Sequence, residues 1–564
     1  MNLQVPFVLA LGSALAATAA LTPTPASACG GFFCDSAQPV NQQAERILFA
    51  QEADGSVTAV IQIQYQGPSE RFAWMLPVAG SPEVGVSSND LFTRLQAASN
   101  PQYRLNTTVE GRCADAGRGG VLAGSPSSDG AGSADAGAEA PVTVVDEGSV
   151  GPYDYVIIDV DDAAEDLVAE AITWLQDSGY DVPDMGADVL RPYLEGGMNL
   201  LAFRLTKGND AGAIRPVKLS FGPGLPSIPL RPTALATQPD MGILVWVLGP
   251  SRAIPANYRH LVLNEALINW LNPGSTYDDV VTRAANEAGG QGFVTEMAGD
   301  AAPLAAGLWQ EWEEQQWNEA ATADWTGREG ELLQRINGWL FLDGMADILE
   351  EHVPVPEGVS ADEFYRCIAC YIDYDEADVE GFEPAAFLAA MDDEVIAPLR
   401  EGQELVASLP YVTRFYTTMS AHEMTADPMF DFNADLGDVS NVHQADRVIE
   451  CSPSISQGDA PWRIELANGE VVRGNGATWP FATDSETMPA NARVERVGTE
   501  GAGEVVTDNA GAISQALNTH NATVAGPPVR TDDGICSVSG QTGKGAAGFL
   551  GALLLGLVAI RRRR

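Results

Sequence analysis

The sequence predicts an α+β fold: a largely antiparallel sheet domain with helical insertions and a β-rich C-terminal region. Segments that alternate between apolar and polar residues, a pattern typical of half-buried strands, recur through the first half of the chain. Two amphipathic helical patterns interrupt these strands, and several consecutive strands favour antiparallel pairing. A long stretch of helical periodicity then precedes short strand-like segments near the end.

These patterns divide the 564 residues into consecutive segments. We expect, in order, a signal peptide (1–28), the N-terminal β-rich part of the α+β domain (29–113), a low-complexity linker (114–140), the continuation of the α+β domain (141–254), a mainly helical region (255–420), a loop and β-rich region (421–522), a spacer with a cysteine (523–544) and a transmembrane anchor with a basic tail (545–564).

The first predicted elements form a hairpin. Strands are expected at 44–50 and 57–65 around Asp54-Gly55, a dipeptide typical of tight hairpin turns. Apolar residues at every second position of the later strand define one buried face. A further strand is predicted at 72–78, and a helix capped by Asn89 is predicted at 89–98.

Strands and helices alternate through the middle of the chain. A helix capped by Asp162 and ended by Gly179 carries an apolar face, and a shorter helix is expected at 188–194. The pattern from 258 to about 349 and from 364 to 418 is helical, whereas 462–506 is typical of short strands with a hairpin turn at Asn468-Gly469. The predicted strands of the middle part are 153–160, 199–205, 214–221, 228–236 and 241–248.

The N-terminal segment predicts export. An apolar run from Phe7 to Leu21 precedes Ala26-Ser27-Ala28, a small-residue site of the kind that signal peptidases cleave. Cleavage would leave Cys29 as the first residue. Lipid attachment to Cys29 is one reading, and a Cys29–Cys34 disulfide is the favoured one.

The C-terminal tail contains Cys536, a polar Gly-rich spacer, an apolar stretch at 548–560 and the basic cluster Arg561–Arg564. This order resembles the myxobacterial C-terminal sorting signal. The resemblance implies that a membrane-bound sorting protease cleaves near Cys536, which would be the processing or lipid-attachment residue of a protein sent to the cell surface or outer membrane. The alternative is an uncleaved anchor that holds a periplasmic protein in the inner membrane.

The other cysteines are disulfide candidates in an exported chain. Their even number leaves several pairings open. Cys367-Ile368-Ala369-Cys370 also has the spacing of a redox motif, but the acidic residues around it oppose thiolate formation, so disulfides are favoured there as well. The candidates are Cys29, Cys34, Cys113, Cys367, Cys370 and Cys451.

The charge of the chain excludes one class of partner. Asp and Glu number 77 against 31 Lys and Arg, a formal net charge of −46. Such a chain repels nucleic acid. Asp431, Asn433 and Asp435 are a weak calcium candidate because their oxygen ligands alternate as in a calcium loop, although Leu436 and Val442 break the EF-hand pattern. No other cofactor is expected.

Motifs for catalysis are scarce. His422-Glu423 begins like a zinc-protease helix, but Ala426 stands where the second histidine would be. The sequence has neither the G-x-S-x-G nor the P-loop motif. Trp309, Trp312, Trp317 and Trp325 could stack on sugar rings, and packing in a helical core is the favoured alternative.

Several segments resemble a bacterial family known as domain of unknown function 2330. The family has no established activity, so the resemblance implies export and a shared fold but no catalytic residues. We therefore expect a non-enzymatic structural or interaction protein of the cell envelope, with an extracellular protein or glycan partner. The alternatives are a calcium- or carbohydrate-binding surface module and an extracytoplasmic enzyme of unrecognised type. The segments are Cys29–Cys34, Ile61–Tyr65, Phe72–Val78, Ile228–Arg231 and His422–Pro428.

Overall fold

A computed structural model describes 41–66, 73–114, 143–160, 166–178, 186–205, 214–235, 237–336, 339, 341–372, 379–481 and 488–524. The predicted signal peptide, Cys29, Cys34, almost all of the low-complexity linker, Cys536 and the predicted anchor lie outside these residues. In the part of the chain that the structure describes, no helix combines the length and the apolar character needed to cross a bilayer.

The fold is α+β, as the sequence predicts. The strands are β1 (Asn41–Gln51), β2 (Ser56–Gln66), β3 (Ala73–Val78), β4 (Glu83–Val86), β5 (Gln102–Glu110), β6 (Thr143–Val150), β7 (Tyr153–Asp159), β8 (Asn199–Leu205), β9 (Val217–Pro223), β10 (Thr237–Gly249), β11 (Ala253–Pro255), β12 (Arg259–Leu263), β13 (Gly292–Asp300), β14 (Tyr411–Met419), β15 (Phe430–Phe432), β16 (Val442–Glu450), β17 (Pro461–Leu466), β18 (Val471–Asn475), β19 (Asn491–Arg496) and β20 (Glu504–Asp508).

The helices fall into groups that cover different sheets. They are α1 (Asn89–Ser99), α2 (Leu167–Asp177), α3 (Gly186–Leu194), α4 (Leu230–Thr233), α5 (Tyr277–Glu287), α6 (Ala302–Leu308), α7 (Glu311–Thr322), α8 (Glu329–Ile336), α9 (Met345–His352), α10 (Ala361–Arg366), α11 (Pro384–Met391), α12 (Ala397–Ala407) and α13 (Ala510–Asn521).

A ten-stranded sheet forms the centre of the molecule, in the order β20-β19-β12-β13-β14-β10-β1-β2-β9-β4. Most neighbouring strands are antiparallel, while β1 runs parallel to β10 and β12 runs parallel to β13. Because β1 lies between β10 and β2, its backbone groups pair on both sides. Its apolar run from Ile47 to Ala50 is fully or almost fully buried, as expected of a strand covered on both faces.

Each face of the central sheet has its own core. Leu48, Ala50 and Trp246 point to a helical layer built from α1 and α6–α12. Ile47 and Phe49, which alternate with them, point to the opposite face and pack against a four-stranded sheet in the order β3-β8-β7-β6. Helices α2 and α3 cover the outer face of that second sheet. The layers are therefore helices, central sheet, second sheet and helices.

A third sheet, in the order β18-β17-β16-β5, packs with α5 and α13 beside the β12–β13 part of the central sheet. Within it β5 pairs in parallel with β16, from which it is far removed in sequence. A disulfide between Cys113 and Cys451, with a sequence separation of 338, joins the ends of these two strands. The covalent bond therefore lies where the register of the parallel pair ends.

The most deeply buried ion pair among the described residues joins β13 to β14 within the central sheet. The guanidinium of Arg414 lies 2.7 Å from Glu296, and both side chains are almost fully buried. Arg414 also donates to Ser99 Oγ at 2.9 Å and to Asn100 Oδ1 at 2.9 Å. Removing one member of such a pair leaves an uncompensated buried charge. The hydrogen bonds from Arg414 to Ser99 and Asn100 hold the C-terminal end of α1 against the sheet.

The structure corrects several local predictions. Helix α1 is capped by Ser88 rather than Asn89, and α2 by Asp166 rather than Asp162. The predicted strand at 228–236 is wrong, because 230–233 forms the short helix α4 and Pro232 has no N–H to donate to a strand partner. Helical periodicity is also misleading at both ends of the predicted helical region, where β12, β13 and β14 join the central sheet.

Loss of the Cys113–Cys451 disulfide is expected to destabilise the protein strongly. A bond across such a long loop restricts the unfolded chain much more than one across a short loop, so the double variant C113A/C451A should lose about 2–5 kcal/mol of free energy of unfolding. Urea denaturation measures this loss of free energy of unfolding. The matched control is C367A/C370A, which removes a disulfide with a sequence separation of 3. Equal losses from the two pairs would contradict the prediction.

Glu45 should make stability depend on pH. Its side chain lies between Ile63 and Ile243 of the neighbouring strands, and burial raises its pKa from 4.5 to about 8. Between these values the unfolded chain ionises while the folded one keeps its proton, so the free energy of unfolding falls as pH rises through this window.

The variant E45Q carries a neutral side chain of the same shape and should escape this loss. It should be about 2–4 kcal/mol more stable than the unmodified protein at pH 8, with little difference below pH 4.5. Urea denaturation across this pH range measures the free energy of unfolding of both proteins. E83Q, at an exposed position on β4, is the control. A constant offset between E45Q and the unmodified protein at every pH would refute the assignment to Glu45.

Candidate functional site

A cavity of about 620 Å³ opens between the central sheet and the second sheet. Strands β1, β2 and β9 form one wall, and the end of β3 forms another. We call it the inter-sheet pocket. Its volume is within the range of small-molecule sites, which are mostly apolar clefts with a few polar groups. The apolar side chains that line it include Phe49, Val57, Ile61, Leu76, Val78 and Leu219.

Strand periodicity makes this lining apolar. Val57, Ala59 and Ile61 are alternate residues of β2, so their side chains share the face that points towards the second sheet. The same alternation brings Leu76 and Val78 of β3 to the facing surface. The pocket is therefore the part of the inter-sheet core that the two sheets leave unfilled near their strand ends.

The rim of the pocket is apolar and exposed. Leu225 is 45% exposed and Met429 is 38% exposed, and both line the opening. Their segments are joined by the hydrogen bond from Ile228 N to Pro428 O at 3.1 Å. Exposed apolar side chains grouped at the opening of a pocket are typical of a binding site.

The loop before β15 forms the remaining wall and is fastened at several points. Asn257 Nδ2 donates to Asp427 O at 2.7 Å, and Asn257 Oδ1 accepts from Met429 N at 2.8 Å. The hydroxyl of Tyr258 donates to Ala426 O at 2.7 Å. These hydrogen bonds fix the position of the loop that forms this wall of the pocket.

Four polar residues meet at this wall, and we call them the polar corner: Tyr193, Arg231, Asn257 and Asp427. The Tyr193 hydroxyl donates to Asp427 Oδ2 at 2.7 Å, and Arg231 N donates to Asp427 Oδ1 at 3.3 Å. Burial raises the pKa of Asp427, and these hydrogen bonds oppose the rise. Burial and the neighbouring Asp427 also raise the pKa of Tyr193, so its phenol stays protonated.

Arg231 differs from the other members of the corner because its guanidinium forms no direct ion pair among the described residues, although it lies near enough to lower the pKa of Asp427. Its Nε donates to Thr425 O at 3.0 Å, which fixes the plane of the guanidinium. Many arginines of this acidic chain are ion-paired, for example Arg94 with Glu313 and Arg463 with Glu450. The terminal nitrogens of Arg231 are thus available to a bound molecule.

The structure places the residues singled out by sequence in different parts of the fold. Cys367 and Cys370 are joined to each other in the helical layer, and Cys113 is joined to Cys451. Cys29, Cys34 and Cys536 lie outside the described residues. His422 lies on an exposed turn and does not line the inter-sheet pocket.

The calcium candidate fastens a loop. Asn433 is fully buried, and its Nδ2 donates to Gly498 O and Gly501 O. Asp435 Oδ2 accepts from Gly501 N at 2.7 Å, while Asp431 accepts from the next backbone N–H. Among the described residues, no group of three or more His, Cys, Asp or Glu side chains is arranged to hold a metal ion.

The tryptophans divide between core and surface. Trp309, Trp317 and Trp325 are buried in the helical core, and their indole N–H groups or rings contact neighbours within it. Trp312 is 50% exposed. The tryptophan cluster therefore contributes three side chains to packing and one to the surface of α7.

Sequence reasoning missed the polar corner. Arg231 and Asp427 both lie in segments on which the family resemblance rests, but neither has a motif that assigns chemistry to it. Their contact joins residues that are 196 apart in the chain. The only signal available was that Arg231 and Asp427 each directly precede a proline, Pro232 and Pro428.

Comparison with known proteins identifies one family. The model of a family described as an uncharacterized protein conserved in bacteria, DUF2330, matches residues 23–327, just over half of the chain. The match includes β1–β13 and therefore most of the inter-sheet pocket, but not the wall around Asp427. Neither the curated proteins nor the solved structures contain a match to the chain.

Proposed function

This chain belongs to the DUF2330 family, and we propose that it is an exported binding protein of the cell envelope that holds a small, largely apolar molecule in the inter-sheet pocket. The observation that carries the proposal is the pocket itself, an apolar cavity of about 620 Å³ with an exposed apolar rim and a single polar corner. Sites with this composition bind small molecules by burying their apolar surface.

Binding without catalysis is the simplest use of these groups. The described residues that line the pocket include no histidine or cysteine, the side chains that most often act as bases or nucleophiles near neutral pH. Asp427 is engaged by Tyr193 and by the backbone of α4, so its oxygens orient the wall. The pocket therefore offers an apolar shape and one guanidinium with unused donors, which suit the binding of a ligand.

Export is supported by the N-terminal apolar run with its small-residue cleavage site and by the chemistry of the cysteines. The disulfide between Cys113 and Cys451 is of a kind that persists in oxidising compartments. The cysteine, apolar segment and basic cluster of the tail fit attachment to the cell surface. A surface location would place the apolar rim where extracellular molecules arrive.

Blocking the entrance should abolish binding. Ala79 is exposed and lines the opening of the pocket, so a tryptophan there fills the entrance without displacing core residues. The neutral dye 1-aminoanthracene, which fluoresces in apolar sites, should bind to the unmodified protein, and its affinity should fall at least about tenfold in A79W.

The control for this experiment is A97W, on an exposed position of α1 away from the pocket. It should bind the dye like the unmodified protein. Unchanged dye binding in A79W, or no dye binding to the unmodified protein, would refute the proposal of a ligand pocket.

The processing of the two chain ends distinguishes a surface location from an inner-membrane location. Intact mass and peptide mapping of the protein recovered from its native envelope should show a chain that starts at Cys29, ends near Cys536 and carries lipid on Cys536. The physical reason is that cleavage at both ends removes the apolar segments, leaving lipid as the attachment. Recovery of an unprocessed tail through Arg564 would place the protein in the inner membrane instead.

A further inference from the structure

We infer that the ligand of the inter-sheet pocket is an amphipathic carboxylate, an apolar chain with one anionic head group, and that Arg231 binds this head group. The inference rests on the proposed function, since it concerns the same pocket. It names the chemical class of the ligand, which the shape of the pocket alone does not determine.

The orientation of Arg231 is set before a ligand arrives. Its backbone N–H is bonded to Asp427 Oδ1, and its Nε is bonded to Thr425 O at 3.0 Å. The first bond holds the backbone of Arg231 against the wall of the pocket, and the second fixes the guanidinium at the end of the side chain. The terminal nitrogens remain as a planar pair of donors, the geometry that matches the two oxygens of a carboxylate.

Asp427 does not neutralise this donor pair through a direct contact. One carboxylate oxygen accepts from the Tyr193 hydroxyl at 2.7 Å, and the other accepts from the backbone of Arg231. Among the described residues the two side chains form no ion pair, although Arg231 lies near enough to lower the pKa of Asp427. The carboxylate thus belongs to the wall, and the guanidinium remains to meet the ligand.

The rest of the polar corner offers a ligand little else to bind. Both polar atoms of the Asn257 amide are bonded to the backbone, and the Tyr193 proton is donated to Asp427. A cationic head group would meet a like charge at Arg231. A neutral hydroxyl would gain only one ordinary hydrogen bond. A carboxylate accepts two charge-assisted bonds and is the best match.

A tight ligand of this pocket needs both an anionic head group and an apolar chain. The chain as a whole is strongly acidic, so its long-range field repels anions. A small anion would gain only the contact with Arg231. A molecule that also buries an apolar chain against Val57, Ile61 and Leu219 gains the hydrophobic contribution of the cavity.

The test compares a matched acid and alcohol. Dodecanoate and dodecanol share an apolar chain and differ in the head group, and each can displace 1-aminoanthracene from the full chain. The unmodified protein should bind dodecanoate about ten- to a hundredfold more tightly than dodecanol, because charged hydrogen bonds are stronger than neutral ones. In R231Q the affinity for dodecanoate should fall to that for dodecanol, because the variant lacks the charged donor pair. R231K, which keeps the charge without the planar fork, should show an intermediate preference.

The control R204Q removes an exposed arginine of β8 that does not line the pocket, and it should keep the full preference for the acid. The possible failures are distinguishable. If the dye and both lipids fail to bind to the unmodified protein, the proposed function fails. If the dye binds and the acid and alcohol bind equally well, only the carboxylate inference fails. An unchanged urea denaturation midpoint shows that R231Q is folded. The comparison of acid and alcohol in the unmodified protein tests the carboxylate inference independently of this variant.

Discussion

The two-sided burial of the central sheet is the constraint on which the rest of the structure depends. Strand β1 pairs in parallel with β10 and in antiparallel fashion with β2. It carries apolar side chains on both faces of the sheet. An apolar face in water is unfavourable, so each face requires a covering layer. The helical layer covers one face and the second sheet covers the other, which makes the four-layer order a consequence of the composition of β1, β2 and β10.

The inter-sheet pocket follows from the same constraint. Two twisted sheets with apolar inner faces pack closely along their middle, but near strand ends the chain must turn away. At this edge the end of β9, Gly224 and the loop before β15 surround a space that the side chains of Val57, Ala59 and Ile61 do not fill. The cavity is therefore lined by core residues, and its polar groups come from helices α3 and α4 and from the loops that contain Asn257 and Asp427.

Buried acidic groups in this fold either have hydrogen-bond and ion-pair partners or have a raised pKa. Glu296 is buried against Arg414 and hydrogen-bonded to the Tyr277 hydroxyl, so it is compensated. Glu45 has no such partner among the described residues, and burial raises its pKa instead. At the pocket, Asp427 is compensated by Tyr193 and by backbone N–H groups, and the Arg231 guanidinium forms no direct ion pair among the described residues. In a chain with an excess of acids, that free guanidinium is the feature with the clearest chemical use.

The sequence by itself determined the local elements whose periodicity is set by a single buried face: the hairpin of β1 and β2, β7, β8 and the hairpin of β17 and β18 around Asn468-Gly469. It also indicated the family, through segments of which all but His422–Pro428 fall within the matched residues. Only the tertiary structure decided that β12–β14 are strands, because their pairing with one another and with β19 and β10 outweighs weak local periodicity. It alone paired Cys113 with Cys451 and brought Arg231 to Asp427, since both contacts join residues too distant in the chain for any local pattern to record.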